Sequence, residues 1–61
     1  MQLESAHYMR MGDLVRHDGG RTGSVVEALA LYARVRWDDG GEEEVDQLDP
    51  MITVTERATR D

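Results

Sequence analysis

The residues of this chain that could bind a partner are concentrated in one segment, residues 32–49. Arginines and a tryptophan come first, and a run of carboxylates follows. A guanidinium pairs with phosphate or carboxylate, and an indole ring stacks on a base or anchors a peptide. Carboxylates attract basic partners or, at defined spacing, bind calcium. The candidate residues are Tyr32, Arg34, Arg36, Trp37, Asp38, Asp39, Glu42, Glu43, Glu44, Asp46 and Asp49.

Metal binding is a minor alternative for these residue types. Seven acids lie within residues 38–49, but their spacing fits a calcium loop only loosely, so a solvated acidic hairpin or a docking surface is favoured. His7 and His17 lie ten residues apart and the chain has no cysteine. A site built from them with Asp13 or Asp18 would lack the usual ligand spacing. We therefore predict no metal and no cofactor.

Composition and length exclude several functional classes. General acid–base catalysis requires a carboxylate in a dry pocket, and a chain of 61 residues has little room for one. No Ser-His-Asp or Cys-His arrangement is recognisable, so we predict that the protein is not an enzyme. The net charge is −6 and every basic residue is arginine, which argues against sequence-independent binding to nucleic acid. No segment has the length of a membrane span, and we expect a cytoplasmic protein.

The candidate residues are positioned by a predicted β-hairpin. Residues 32–37 alternate strictly, the Asp-Asp-Gly-Gly sequence then breaks the strand, and an acidic return strand follows. Side chains of a strand point alternately to its two faces. One face carries Ala33, Val35 and Trp37, and the other carries Tyr32, Arg34 and Arg36.

The hairpin register follows from the turn. A three-residue loop at 39–41, with a glycine in the left-handed conformation, would place Val35 opposite Val45. Arg36 would then lie opposite Glu44, and Arg34 opposite Asp46. A four-residue loop would instead place Val35 opposite Glu44. A slip of one residue turns every side chain to the wrong face, so the three-residue loop is favoured.

Four further segments complete the predicted fold. The predicted strands are residues 14–17, 24–29, 32–37, 43–48 and 51–55. The second strand could extend through residues 30–31, and a helix over residues 26–32 is the competing interpretation because alanine and leucine favour it. Five short strands with tight turns predict an all-β barrel or roll, in which closure would protect the strand edges.

The chain divides into three predicted regions. Residues 1–11 form an N-terminal arm that we expect to be partly ordered, and its alternation is compatible with helix, strand or disorder. Residues 12–55 form the barrel. Residues 56–61 are polar and are expected to fray.

Three motifs in this chain resemble those of the small bacterial Tudor-like and KOW-like barrels of SH3-like fold. They are Gly-Asp-Leu-Val-Arg-His at residues 12–17, Gly-Arg-Thr-Gly-Ser-Val-Val at 20–26 and Val-Arg-Trp-Asp-Asp-Gly at 35–40. Similar motifs are found in the C-terminal Tudor-like domain of bacterial superfamily-one DNA helicases and in the RNA-polymerase-interacting domain of the transcription–repair coupling factor. Short actinobacterial proteins of unknown function share the third motif.

The resemblance implies a fold, a five-stranded SH3-like or Tudor-like barrel, more strongly than a function. RNA-binding KOW modules carry several basic residues around the glycine loop, whereas this chain has only Arg21 there. A histone-reading Tudor domain uses an aromatic cage, for which only Tyr8, Tyr32 and Trp37 are available.

We therefore predict a stand-alone protein-interaction module of a bacterium or phage. RNA polymerase or another nucleic-acid-processing machine is the partner that the resemblance implies, and the oligomeric state stays open. Trp37 is predicted to be buried, because it shares its face with Ala33 and Val35; an exposed stacking platform is the alternative. The predicted partner-binding residues are Tyr32, Arg34, Arg36, Trp37, Asp38, Asp39, Glu42 and Glu44. The alternative function is a nucleic-acid-binding barrel that uses Arg16, Arg21, Arg34, Arg36 and Trp37.

Overall fold

The structure is a computed structural model that describes residues 8–58. These residues form one antiparallel sheet of five strands in the order β4-β3-β2-β1-β5, and they contain no helix. The predicted all-β class is confirmed. The sheet is not closed, because β4 and β5 are its two edges. The strands are β1 (Leu14–His17), β2 (Thr22–Ala28), β3 (Tyr32–Trp37), β4 (Glu42–Asp46) and β5 (Ile52–Glu56).

The predicted bounds are confirmed for β1 and β3 and are shifted for the other strands. β2 begins two residues earlier than predicted, because Thr22 already pairs with Arg16 of β1. The helix over residues 26–32 is wrong, and residues 30–31 turn the chain instead of extending β2. β4 and β5 are displaced by one or two residues from residues 43–48 and 51–55. Residues 1–7 of the arm and 59–61 of the tail lie outside the described residues.

The core lies on the sheet face that the alternation predicted. β-Branched side chains and one tryptophan make up most of it, which suits strands because branched side chains pack well on a pleated surface. Val54 packs against the core from the edge strand β5. The buried apolar residues are Met9, Val15, Val25, Ala33, Val35, Trp37, Val45 and Ile52.

Irregularities in the ladder interrupt two of the strand pairs. The β2–β3 register shifts between Val25 and Glu27, and the β1–β5 register shifts between Leu14 and Val15. An extra residue on one strand bends that strand and increases its right-handed twist. The shift in β2 also turns Glu27 to the outer face, beside Arg34.

A buried glutamine, Gln47, ties the N-terminal arm to the sheet. Its side-chain oxygen accepts a hydrogen bond from the Met9 amide at 2.7 Å. Its side-chain nitrogen donates to the carbonyl oxygens of Met9, at 3.1 Å, and Leu29, at 3.0 Å. One amide group thus satisfies three backbone groups from two distant segments, and the apolar Met9 side chain is held in the core.

A buried carboxylate, Asp13, joins the start of β1 to the residues that follow β5. It accepts hydrogen bonds from the Arg10 amide at 2.9 Å and the Ala58 amide at 2.7 Å. The Arg57 guanidinium also donates to it, at 2.9 Å. A buried carboxylate is tolerated when such donors replace its water shell. Asp13 therefore connects the two chain segments through its hydrogen bonds. These bonds do not support the alternative in which Asp13 is a metal ligand.

Candidate functional site

The β3–β4 turn has the predicted length but not the predicted position. Its three loop residues are Asp38, Asp39 and Gly40. The Trp37 amide donates to the Gly41 carbonyl oxygen at 2.7 Å, and the Gly40 amide donates back to the Trp37 carbonyl at 2.9 Å. Gly40 has a φ of 109°, a backbone conformation that residues other than glycine rarely adopt. The loop therefore begins one residue earlier than residues 39–41.

This displacement makes the predicted pairings of the hairpin wrong. Val35 lies opposite Glu43, not Val45 or Glu44. Each residue of β4 is displaced by two positions relative to the prediction, and a shift of two keeps every side chain on its face. The pattern of faces is therefore correct although the register is not. The observed pairs are Tyr32 with Asp46, Ala33 with Val45, Arg34 with Glu44, Val35 with Glu43 and Arg36 with Glu42.

On the outer face of the hairpin, both arginines are engaged by carboxylates. Arg34 lies between Glu27, at 3.6 Å, and Glu44, at 3.7 Å. Arg36 contacts Glu42 at 3.0 Å through a terminal nitrogen and at 3.2 Å through Nε. The expected neutralisation by facing acids is found, with partners other than Glu44 for Arg36 and Asp46 for Arg34. Each exposed pair of this kind contributes only about 0–1 kcal/mol.

Trp37 is buried, as the parity of its strand predicted. Its exposed fraction is 2%, so its ring offers no open stacking platform. The indole nitrogen donates a hydrogen bond to Glu43 at 3.0 Å. The His17 ring meets the indole edge-to-face, with 6.2 Å between ring centroids.

The backbones of β2 and β3 approach each other closely beside the Trp37 ring. Gly23 of β2 pairs with Trp37, and a Cβ at Gly23 would lie 2.5 Å from the Arg36 carbonyl oxygen. The same atom would lie 3.0 Å from an edge carbon of the indole. A glycine within a strand commonly marks such an approach. Glycine at this position is therefore required by packing.

Arg21 covers the outward face of Trp37. Its guanidinium carbon lies 4.5 Å from the ring centroid, within the range of a cation–π contact. The guanidinium also contacts Asp39 at 3.3 Å and Glu43 at 3.7 Å. Beside it, the Thr22 hydroxyl donates to the Asp38 carboxylate. Sequence reasoning did not pair Arg21 with this hairpin, because the two segments meet only through the sheet.

The four arginines proposed for nucleic-acid contact are thus not equivalent. Arg21, Arg34 and Arg36 each contact carboxylates. Arg16 is exposed on β1, and no ion pair is found for it within residues 8–58. A continuous phosphate-binding strip would require the paired guanidinium groups to leave their carboxylates.

The described part of the chain contains neither a metal-binding cluster nor a pocket. No group of three or more histidine, aspartate or glutamate side chains is arranged to hold a metal ion in residues 8–58. No pocket is found among the same residues. His17 uses Nδ1 to accept a hydrogen bond from the Gly19 amide at 3.1 Å, whereas His7 lies outside this range. No helix in residues 8–58 is long and apolar enough to cross a membrane.

Comparison with protein-family models, curated proteins and solved structures finds no significant match for this chain.

Proposed function

We propose that the protein is a non-catalytic interaction module with an SH3-like, Tudor-like barrel, and that the β4 edge is its docking surface for a basic segment of a protein partner. The strand order supports the barrel. A β1–β4 meander with β5 returning beside β1 leaves two edges that can curl toward each other. The register shifts in the β2–β3 and β1–β5 pairs favour that curl, because the extra residue on β2 and on β5 increases strand twist.

The single observation that carries the proposal is the character of the β4 edge. β4 is an outer strand, and its consecutive Glu42, Glu43 and Glu44 are exposed. Such charges oppose pairing with the same edge of a second copy, because like charges would then face each other. A basic extended segment would instead be attracted to this edge, because its charges are opposite to those of the glutamates. Its main chain would add to the sheet and its side chains would meet carboxylates.

The hydrogen-bond pattern between β3 and β4 shows which backbone groups of β4 are available to a partner strand. The Trp37 amide bonds to Gly41, and the Gln47 amide bonds to Leu31, two bonds that bracket the hairpin. Hydrogen-bonded and non-hydrogen-bonded pairs alternate between them. Glu42, Glu44 and Asp46 occupy the non-hydrogen-bonded positions, so the N–H and C=O groups of Glu42 and Glu44 point to the open side. The Asp46 carbonyl is already used, because it accepts a hydrogen bond from the Asp49 amide at 3.1 Å.

The charge balance of the hairpin supports a basic partner. Residues 38–49 carry seven carboxylates, and within residues 8–58 their only ion-pair partners are Arg21, Arg34 and Arg36. The surplus is negative even with every pair formed. RNA polymerase or another nucleic-acid-processing machine of a bacterium or phage is the partner class suggested by the resemblance of the three sequence motifs.

The proposal is tested by binding to purified bacterial RNA polymerase core and, separately, to a duplex DNA of 20 base pairs over a range of salt concentrations. We expect binding to the polymerase and none to the DNA. Tight DNA binding with a steep dependence of log affinity on log salt would instead establish the nucleic-acid-binding alternative.

Three variants separate the main chain of the β4 edge from its charge. Glu44→Gln removes the charge but keeps the outward N–H, whereas Glu44→Pro removes both the charge and the N–H without removing a bond of the sheet. We expect Glu44→Gln to weaken polymerase binding about tenfold and Glu44→Pro to weaken it further, because it also loses the main-chain donor. Glu56→Gln, at the end of the opposite edge strand, should leave binding unchanged. Equal effects of Glu56→Gln and Glu44→Gln would contradict docking at β4, and Glu44→Gln decides the point if the proline variant does not fold.

A further inference from the structure

Three exposed leucines lie at the end of the hairpin remote from the Trp37 turn. Leu29 and Leu31 belong to the β2–β3 turn, and Leu48 follows β4. Gln47 joins them, because its amide donates to the Leu31 carbonyl at 3.0 Å and its side chain donates to the Leu29 carbonyl at 3.0 Å. Their exposed fractions are 41% for Leu29, 76% for Leu31 and 59% for Leu48. We call these three residues the leucine patch.

The leucine patch is not explained by the folding of the chain. Every leucine within residues 8–58 is exposed, while valine, isoleucine, methionine and tryptophan build the core. Tight turns favour glycine, asparagine, aspartate, serine or proline, and Leu-Ala-Leu at residues 29–31 has none of these. A single exposed leucine is ordinary, but several at one place commonly mark an interaction site.

The charges around the leucine patch indicate its occupant. Asp46 lies opposite Tyr32, one residue from Leu31, and its carboxylate accepts the Leu48 amide at 3.0 Å. Asp49 follows Leu48, and no ion pair is found for either aspartate in the described part of the chain. A second copy would bring the same uncompensated carboxylates to the interface. A segment with apolar and basic side chains would complement both the leucines and the acids.

The leucine patch is continuous with the β4 edge. β4 ends at Asp46, and Leu48 is two residues further along the chain. We propose that the leucine patch receives the apolar end of the same basic segment that docks along β4. This inference rests on the proposed function and extends it, because it specifies a partner segment with basic residues along β4 and apolar residues at one end.

The test uses three labelled synthetic peptides of 12 residues whose affinities are measured by fluorescence anisotropy. The first has arginines at alternate positions and two leucines at one end. The second has serines in place of the leucines, and the third has glutamines in place of the arginines. We expect the first peptide to bind about tenfold more tightly than the second, as burial of a leucine on an apolar surface implies, and the third to bind weakly.

Variants of the protein show which residues cause the difference in affinity between the leucine peptide and the serine peptide. Leu31→Ser and Leu48→Ser should each reduce the advantage of the leucine peptide to less than threefold. Leu14→Ser is the matched control, because Leu14 is an exposed leucine on β1, which β2 and β3 separate from β4. It should leave the advantage intact. Both leucine positions are exposed, so thermal melting should confirm that the variants fold.

The outcomes distinguish this inference from the proposed function. If the leucine and serine peptides bind equally and both depend on Glu44, the leucine patch has no role while docking at β4 stands. If neither peptide binds, the inference is overturned, and the polymerase experiment decides the proposed function separately. Equal binding of the leucine peptide and its glutamine counterpart would contradict a basic partner. A dimer in sedimentation equilibrium that Leu31→Ser dissociates would assign the leucine patch to a second copy instead.

Discussion

The two ends of the β3–β4 hairpin are held together by different kinds of interaction. At the turn end, Arg21 covers buried Trp37 and is itself held by Asp39 and Glu43 on the surface. At the other end, Gln47 satisfies three backbone groups from the inside, and the leucines face solvent.

The two ends of the hairpin contribute differently to the free energy of unfolding. The charges at the turn end are exposed, so water replaces a lost partner at little cost. The two bonds of Gln47 to Met9 are buried and its bond to Leu29 is partly buried, so a lost partner would leave these groups poorly satisfied. The exposed ion pairs of the hairpin therefore contribute less to folding than Trp37 and Gln47 do.

The largest expected effect at the turn end is that of Trp37→Ala. Truncation of a buried aromatic side chain costs about 3–5 kcal/mol, and a domain of this size rarely has more than about 3–5 kcal/mol in total. We expect the variant to be largely unfolded in far-UV circular dichroism and in denaturant titration. Trp37→Phe keeps most of the apolar volume and should remain folded. Nearly unchanged melting of Trp37→Ala would show that the ring does not support the core.

The next largest effect is expected at the other end, from Gln47→Ala. The change leaves the amide and carbonyl of Met9 and the carbonyl of Leu29 without their partner, at a cost of about 1–3 kcal/mol. Amide hydrogen exchange of Met9 should accelerate more than that of Val35. Gln47→Glu keeps an acceptor for the Met9 amide and should protect that amide partially. Equal acceleration at Met9 and Val35 would indicate global destabilisation and not release of the arm.

A smaller effect is expected from Arg21→Ala at the turn end. Loss of an exposed cation–π contact and exposed ion pairs costs about 0.5–1 kcal/mol. The outward face of Trp37 gains access to water, so its fluorescence emission should move to longer wavelength while the fold persists. Arg16→Ala is the control, and it should leave the emission unchanged. An unshifted spectrum for Arg21→Ala would mean that the guanidinium does not shield the ring.

The smallest effect on folding is expected from Leu31→Ser. Leu31 is largely exposed, and surface substitutions of this kind usually change the free energy of unfolding by less than about 0.5 kcal/mol. The midpoint of urea unfolding should match that of the unsubstituted protein. A loss as large as that of Gln47→Ala would mean that the leucine patch supports the fold instead of a partner.

The class of the fold and the faces of its strands follow from local patterns in the amino-acid sequence. Alternation at residues 32–37 is a local property, so it placed Trp37 in the core and Arg34 on the surface without knowledge of the rest of the chain. β-Branched runs and turn glycines likewise located five strands, with errors at their ends.

Which residues face each other across the sheet depends on how the strands pair, and local patterns do not specify it. The choice of Gly40 over Gly41 for the left-handed position displaced β4 by two residues, a shift that preserves the faces and so leaves no trace in the alternation. The same limit applies to contacts between distant segments. Gln47 meets Met9 across 38 positions and Asp13 meets Ala58 across 45, and no local pattern encodes such a meeting. These pairs form because the sheet brings together buried donors and acceptors that must find partners once water is excluded.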